Sequence, residues 1–330
     1  MPWSRISSPS KRSDVMRPPL SGRISISQRL AVSLIALVLM AACTPRAAQV
    51  HASPTPQPTA ILTTPSTSAS PEASPVSSPS HVFVIVLENR SYAQVIGTSY
   101  IAALAQQYGV ASNYHGVSHP SLPNYLAMTS GSTYGIADDG WHNLPAGGLG
   151  SQLSAAGIGW RAYMEGMTGG CYRSPYPYAL KHNPFAYYGG SCPSEVVSFN
   201  QFAGDMSGAV PRLVWITPGL CHDGHDCSNS VVDAWLQQTV PMILNTSAWQ
   251  DNGVLFITWD EGEDSANSVL TLVIHPDPVT HQSQKSYDHY SLLATIEDQL
   301  GVPRLGAAAQ STAMTDLMAV KPAAKLRNGT

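Results

Sequence analysis

Apolar positions in this chain gather in short unbroken runs, each stopped by polar residues. Val82–Leu87 and Val254–Trp259 are almost wholly apolar and rich in β-branched side chains, and Leu213–Thr217 and Val269–Ile274 repeat the pattern. Runs of this length without alternation fit strands covered on both faces, as in a parallel sheet. Segments of helical period lie between them. SYIAALAQQYG closes on Gly109, a C-cap candidate, and HYSLLATIEDQLG also ends in glycine. VVDAWLQQTVPMILN spaces its apolar residues three and four apart, with Pro241 expected to break or kink it. Strand and helix in alternation predict a three-layer α/β/α domain around a mostly parallel sheet. The stretch from Gly131 to Asn200 is rich in Gly, Tyr and Pro and reads as long loops over the sheet edge.

The same patterning marks what lies outside the fold. Arg12, Arg17, Arg23 and Arg29 precede an apolar run of 13 residues, Leu30 to Ala42, which is short for a bilayer crossing. A basic segment, a short apolar segment and small residues before Cys43 form an export signal. Ala41-Ala42-Cys43 resembles a bacterial lipobox and predicts a protein held at the cell envelope by lipid on Cys43. Plain cleavage to a secreted protein, an uncleaved anchor, and translation from Met16 are the alternatives. Residues 44–80 are Pro, Ser, Thr and Ala with almost no large apolar side chain, too few to offset ordering entropy, so they read as a disordered linker. The expected layout is signal and lipobox over 1–43, linker over 44–80, folded domain over 81–315 and a flexible tail over 316–330.

Beyond Cys43 the chain carries 11 basic against 20 acidic side chains, a formal charge of −9. With no basic stripe, nucleic acid is not expected as a partner, and no protein partner is indicated. A phosphate substrate would need a local positive centre. The remaining cysteines, Cys171, Cys192, Cys221 and Cys227, form an even set in an exported chain. Sequence allows three pairings, and local spacing favours Cys171–Cys192 with Cys221–Cys227. A metal cluster is the alternative, without a C-x-x-C to support it.

The candidate chemistry sits where the apolar runs end. Val82–Leu87 delivers Glu88 and Asn89; Val254–Trp259 delivers Asp260 and Glu261. Two oxygen-bearing pairs at like strand ends predict one centre for a hard divalent cation, Mg²⁺, Mn²⁺ or Ca²⁺ rather than Zn²⁺. Helix capping by Asn89 with surface acids elsewhere is the plainer alternative. Ser121 stands at the mouth of a short helix in HPSLPNYLAMTSG, where a hydroxyl gains from the helix dipole; it could equally be only an N-cap. CHDGHDCSN sets His222, Asp223, His225 and Asp226 between two cysteines, as a second metal site, as a proton donor or only as a solvated turn. His289 opens a helix after Asp288. His119, Lys181 and His182 are weaker substrate-contact candidates, and the 181–184 segment could be only a turn. No G-x-S-x-G elbow, Gly-rich phosphate loop or HExxH occurs.

At these residues the sequence resembles the bacterial phosphoesterase family that contains phosphatidylcholine-type phospholipase C enzymes and respiratory-burst-inhibiting acid phosphatases, within the alkaline-phosphatase-like superfamily. The matching stretches are ENRSY (88–92), HPSLPNYLAMTSG (119–131), KHNPFAYY (181–188), CHDGHDCSN (221–229), ITWDEGED (257–264) and DHYSLLATIED (288–298). The resemblance implies an alkaline-phosphatase-like fold, with Ser121 as nucleophile and Glu88, Asn89, Asp260 and, with its longer side chain, Glu261 as metal ligands. It also implies His225 as the acid and His289 as a further active-site group. Lacking the extra C-terminal domains of large phospholipase C members, the chain is expected to be a phosphomonoesterase working through phosphoserine. Phospholipase C action on phospholipid or small phosphodiesters is the alternative, and an inactive envelope-anchored binding protein is the alternative of another class.

Overall fold

The computed structural model describes residues 81–277 and 282–318. The expected signal, lipobox, linker and all of the tail beyond Met318 lie outside the described residues. The strands are β1 (Val82–Leu87), β2 (Gly109–Ala111), β3 (Tyr114–His115), β4 (Trp160–Met164), β5 (Val196–Ser198), β6 (Leu213–Thr217), β7 (Val254–Trp259), β8 (Thr271–Ile274), β9 (Gln282–Ser283) and β10 (Tyr287–Asp288). Eight form one sheet in the order β5-β4-β6-β1-β7-β8-β2-β9, and β3 pairs with β10 apart from it. Only β8 runs against its neighbours.

β1 and β7, buried along their whole length, lie at the centre. Their parallel register pairs Val82 with Val254 and Leu87 with Trp259, so Glu88 and Asp260 leave the sheet side by side. Helices cover both faces in a three-layer α/β/α arrangement. On one side helix Ser121–Ser130 packs against His289–Leu300 and Gly148–Ala155; elsewhere Ser99–Gln107 packs against Asn229–Leu244. The carboxyl ends of parallel strands are where ligands collect in such sheets.

Four local expectations change. Gly109 does not cap a helix: the helix ends at Gln107, and Gly109 opens β2. Pro241 lies inside helix Asn229–Leu244 without ending it. It stands in the last turn, where only three helical residues follow it, and its own carbonyl still accepts from Asn245. The stretch 131–200 is not only loop, for it contributes a helix and the two strands β4 and β5 at one side of the sheet. At the other end the fold continues past residue 315: Asp316 accepts from Ser283 Oγ and Tyr287 Oη, and Leu317 and Met318 are buried.

Candidate active site

Each part of the site is placed by a local feature of the sequence. After β1, Asn89 bends the chain with φ 33°, a left-handed conformation that Asn tolerates. That bend leaves Glu88 fully buried beneath helix Ser121–Ser130. Ser121 is the first residue of this helix, between Pro120 and the Leu122-Pro123 pair. The two prolines remove N–H groups that a helix start leaves without partners anyway. The Leu122 N–H donates to Asp139 Oδ1 at 3.0 Å. Asn124 braces the approach to Ser121: its Oδ1 accepts from the Val117 and Ser118 N–H groups, and its Nδ2 donates to the Ser118 and Pro120 carbonyls.

Ser121 Oγ donates to Glu88 Oε2 at 3.0 Å, and Lys181 Nζ donates to Ser121 Oγ at 3.4 Å. Lys181 also donates to Asp139 Oδ2 at 3.0 Å, which anchors its ammonium beside the hydroxyl. The other oxygen of Glu88 lies 3.0 Å from His182 Nε2, and His182 Nδ1 lies 3.3 Å from Asp223 Oδ2. Tyr125 stacks on the His182 ring, with centroids 5.3 Å apart. Gly224, at φ +106°, lets the Asp223 loop close on β1: a Cβ there would sit 3.3 Å from the Glu88 carbonyl.

Charge in this cluster is set by burial and by neighbours. Burial opposes the His182 charge, but Glu88 and Asp223 together outweigh it and raise His182 to about 9. Burial also works against ionised Glu88, yet His182 and Lys181 hold its carboxyl below the ordinary value. Asp260 goes the other way, pushed well up by burial and by the charges of Glu88 and Glu261. The two carboxyls are thus shifted in opposite directions, Glu88 toward the charged form and Asp260 toward the neutral one. Burial opposes the charge of Lys181 too, but Glu88 and Asp139 raise its pKa.

The expectation of a divalent cation on Glu88, Asn89, Asp260 and Glu261 is corrected. Among the described residues, no group of three or more His, Cys, Asp or Glu side chains is placed to hold a metal ion. Some of the donor atoms have taken protein partners, while Asn89 Oδ1 and Asp260 Oδ2 are buried without a hydrogen-bond partner. Glu88 is spent on Ser121 and His182. Asp260 Oδ1 accepts the Asn89 and Glu261 N–H groups at 3.1 and 2.6 Å. Glu261 turns to the mouth and pairs with His119 Nδ1.

The histidines separate. His182, only a weak candidate from sequence, is at the centre. His225 is next to it, with ring centroids 6.2 Å apart and its Nδ1 held by Asp226 Oδ1 at 2.7 Å. His222 points elsewhere, to Glu165 at 2.8 Å and against Trp235. His289 is sealed behind the strand ends between the Tyr114 hydroxyl, 3.0 Å away, and the Asp260 carbonyl. Burial lowers it to about 4, so it is neutral. Asp139 was missed by sequence reasoning, and its only signal was an acidic pair in the loop IADDG. Both expected disulfides are present, Cys171–Cys192 around Lys181 and His182, and Cys221–Cys227 around Asp223 and His225.

The chain thus has a largely parallel three-layer fold with Ser121, Glu88 and Lys181 gathered beyond the end of β1. Its fold is similar to a solved protein of the alkaline phosphatase superfamily from Vibrio parahaemolyticus, with TM-score 0.54, 13% identity and 74% of each chain covered. The sequence model of the phosphoesterase family matches residues 98–303, and the chain belongs to that family. It is 31% identical over 252 residues to the phosphatidylinositol-3-phosphatase of Mycobacterium tuberculosis (strain ATCC 25618 / H37Rv), covering 72% of this chain and 82% of that protein. It is 27% identical to an acid phosphatase of Aspergillus fumigatus (strain ATCC MYA-4609 / CBS 101355 / FGSC A1100 / Af293) over 68% of this chain, spanning 55% of that relative. Among the described residues no helix is long and apolar enough to cross a membrane.

Proposed function

We propose that the protein hydrolyses phosphate monoesters through a phosphoserine formed on Ser121. The observation that carries this reading is the double contact of the Ser121 oxygen, which gives its proton to Glu88 and takes a hydrogen bond from the Lys181 ammonium. One partner is placed to receive the proton and the other to favour the oxyanion. The names of the relatives support a monoester: one is a phosphatidylinositol-3-phosphatase, the other an acid phosphatase.

In this reading Lys181 draws the non-bridging phosphoryl oxygens toward Ser121. The Ser121 O–H bond breaks as Glu88 takes the proton, Oγ bonds to phosphorus, and the bond from phosphorus to the leaving alcohol breaks. His225 protonates that alcohol. Its Nδ1 is occupied by Asp226, while Nε2 has no protein partner among the described residues. Water then attacks phosphorus and gives a proton to His225, the bond from phosphorus to Ser121 Oγ breaks to release inorganic phosphate, and Glu88 returns its proton to Oγ. His182 and Asp223 move no proton; the His182 charge keeps Glu88 ionised, and Asp223 holds the far side of the imidazole. A centre held by His182, Lys181 and Glu88 keeps its acceptor ionised in mildly acidic solution, where an acid phosphatase works.

Release of inorganic phosphate from phenyl phosphate tests this, comparing the purified protein with Ser121→Ala. Loss of turnover with thermal unfolding unchanged supports the proposal. A variant that keeps the wild-type rate contradicts it, and cleavage of phosphodiesters in place of monoesters would return the reaction to the phospholipase C type.

A further inference from the structure

Five large apolar side chains stay exposed among the described residues, and four of them, Tyr134, Trp141, Tyr172 and Tyr176, fall between residues 134 and 176. Surface aromatics scattered singly need no explanation, but this set is concentrated in the loops that carry the phosphate-side residues. Trp141 follows Asp139 by two residues, so their Cα atoms are no more than about 7 Å apart. Asp139 in turn holds both Lys181 Nζ and the N–H next to Ser121.

Trp141 is also fixed in place. Its ring lies 5.0 Å from the buried Tyr187 ring at 36°, and 5.1 Å from Tyr172 at 83°. Tyr172 is itself tied down, by its hydroxyl on the Ala186 carbonyl and by its neighbour Cys171 in the disulfide. Yet 48% of Trp141 remains exposed. A large ring held by two others loses little freedom when a ligand covers it, which is the economical way to present a contact face.

We propose that Trp141, backed by Tyr187 and Tyr172, is a specificity-determining residue of the Ser121 site, and that its open face receives the ring of an aryl leaving group. The preferred substrates are then aryl phosphate monoesters. This rests on the phosphomonoesterase reading above. A neutral aromatic ring suits an offset or edge contact with indole, and the phosphoryl end of the same molecule reaches toward Lys181. A lipid surface is the competing occupant of exposed Trp and Tyr. The formal charge of −9 beyond Cys43 opposes approach to an anionic bilayer and favours the small ester.

The test compares kcat/KM for 1-naphthyl phosphate and glycerol 2-phosphate in the wild type, Trp141→Leu and Trp141→Phe. The naphthyl-to-glycerol ratio should fall about tenfold in Trp141→Leu, the lower end of what a ring stack is worth. Trp141→Phe should recover most of it, which a purely structural role for the side chain would not produce. A parallel calorimetric titration of 1-naphthyl phosphate into Ser121→Ala, with and without Trp141→Leu, reads binding without turnover. Equal naphthyl affinity in the two proteins, or an unchanged selectivity ratio, overturns the subsite. So does a Trp141→Leu protein that loses only its binding to phosphatidylcholine vesicles. Selective loss of naphthyl binding with no turnover of either ester in the wild type would leave the subsite standing and overturn the phosphomonoesterase reading instead.

Discussion

Ser121 and His182 share one carboxylate. Glu88 Oε2 accepts the serine hydroxyl at 3.0 Å while Oε1 lies 3.0 Å from the imidazole, so the nucleophile and the buried cation are joined through a single side chain. Asp223 secures the far side of the ring at 3.3 Å. Any change in the charge of this line is felt at Ser121.

His182 therefore gives the fold a defined pH dependence. Its folded pKa of about 9 lies above the ordinary 6.5, so the folded state binds the proton more tightly than the unfolded chain. The stabilisation is complete below pH 6.5 and is lost as pH rises through about 9. Its size is on the order of 3 kcal/mol, since each pKa unit corresponds to about 1.4 kcal/mol. Thermal unfolding should show Tm falling across this window, and His182→Gln should flatten the fall. A wild-type Tm that rises from pH 6.5 to 9 would be incompatible with a buried imidazolium.

Glu88→Gln keeps the shape of the side chain and removes its charge. Turnover should drop ~10²-fold or more, the usual scale for a lost proton acceptor. Stability should drop as well, because the His182 charge loses a partner inside the protein. Steady-state kinetics and a melting curve read the two effects separately. A variant with normal rate and lowered Tm would reduce Glu88 to a structural role.

The Cys221–Cys227 bridge closes a short loop around Asp223 and His225. Removing it with Cys221→Ser and Cys227→Ser should cost ~2–3 kcal/mol of stability in the chain-entropy picture. The rate should suffer more, since misplacing a proton donor by about an ångström costs ~10²-fold. Equal kcat in the unbridged protein would remove the requirement for a pre-positioned loop.

Much of this arrangement was legible in the sequence because it follows from strand ends. Two apolar runs stopping at Glu88-Asn89 and Asp260-Glu261 announce parallel neighbours whose polar residues meet, and the register of β1 with β7 brings that meeting about. What the residue types could not show was their choice of partner. Carboxylates that suit a cation also suit a serine, a histidine or backbone N–H groups, and residue type does not choose among these. The roles of Asp139 and Asp223 were hidden because each comes from a loop whose path depends on distant contacts. His182 was hidden in a KHNP stretch that a simple turn explains as well. The strands β4 and β5 escaped notice among Gly, Tyr and Pro because they are short and flanked by irregular chain.

His289 offers a contrast. Neutral and sealed against the Asp260 carbonyl, with its pKa lowered to about 4, it should not shape the pH–rate profile between pH 5 and 9. His289→Ala should lower Tm by opening a cavity between the strand ends and their covering helix. The pH dependence of kcat should keep its wild-type midpoints. A shifted limb would bring His289 back among the groups that exchange protons during turnover.

The central claim is a covalent phosphate on Ser121. Mixing the purified protein with phenyl phosphate, quenching in acid within the first turnovers and mapping the peptides by mass spectrometry reads it directly. The account predicts one added phosphate on the peptide containing Ser121, absent in Ser121→Ala and lost on longer incubation of the wild type before quenching. Steady release of phosphate with no modified Ser121 peptide at any quench time would contradict it.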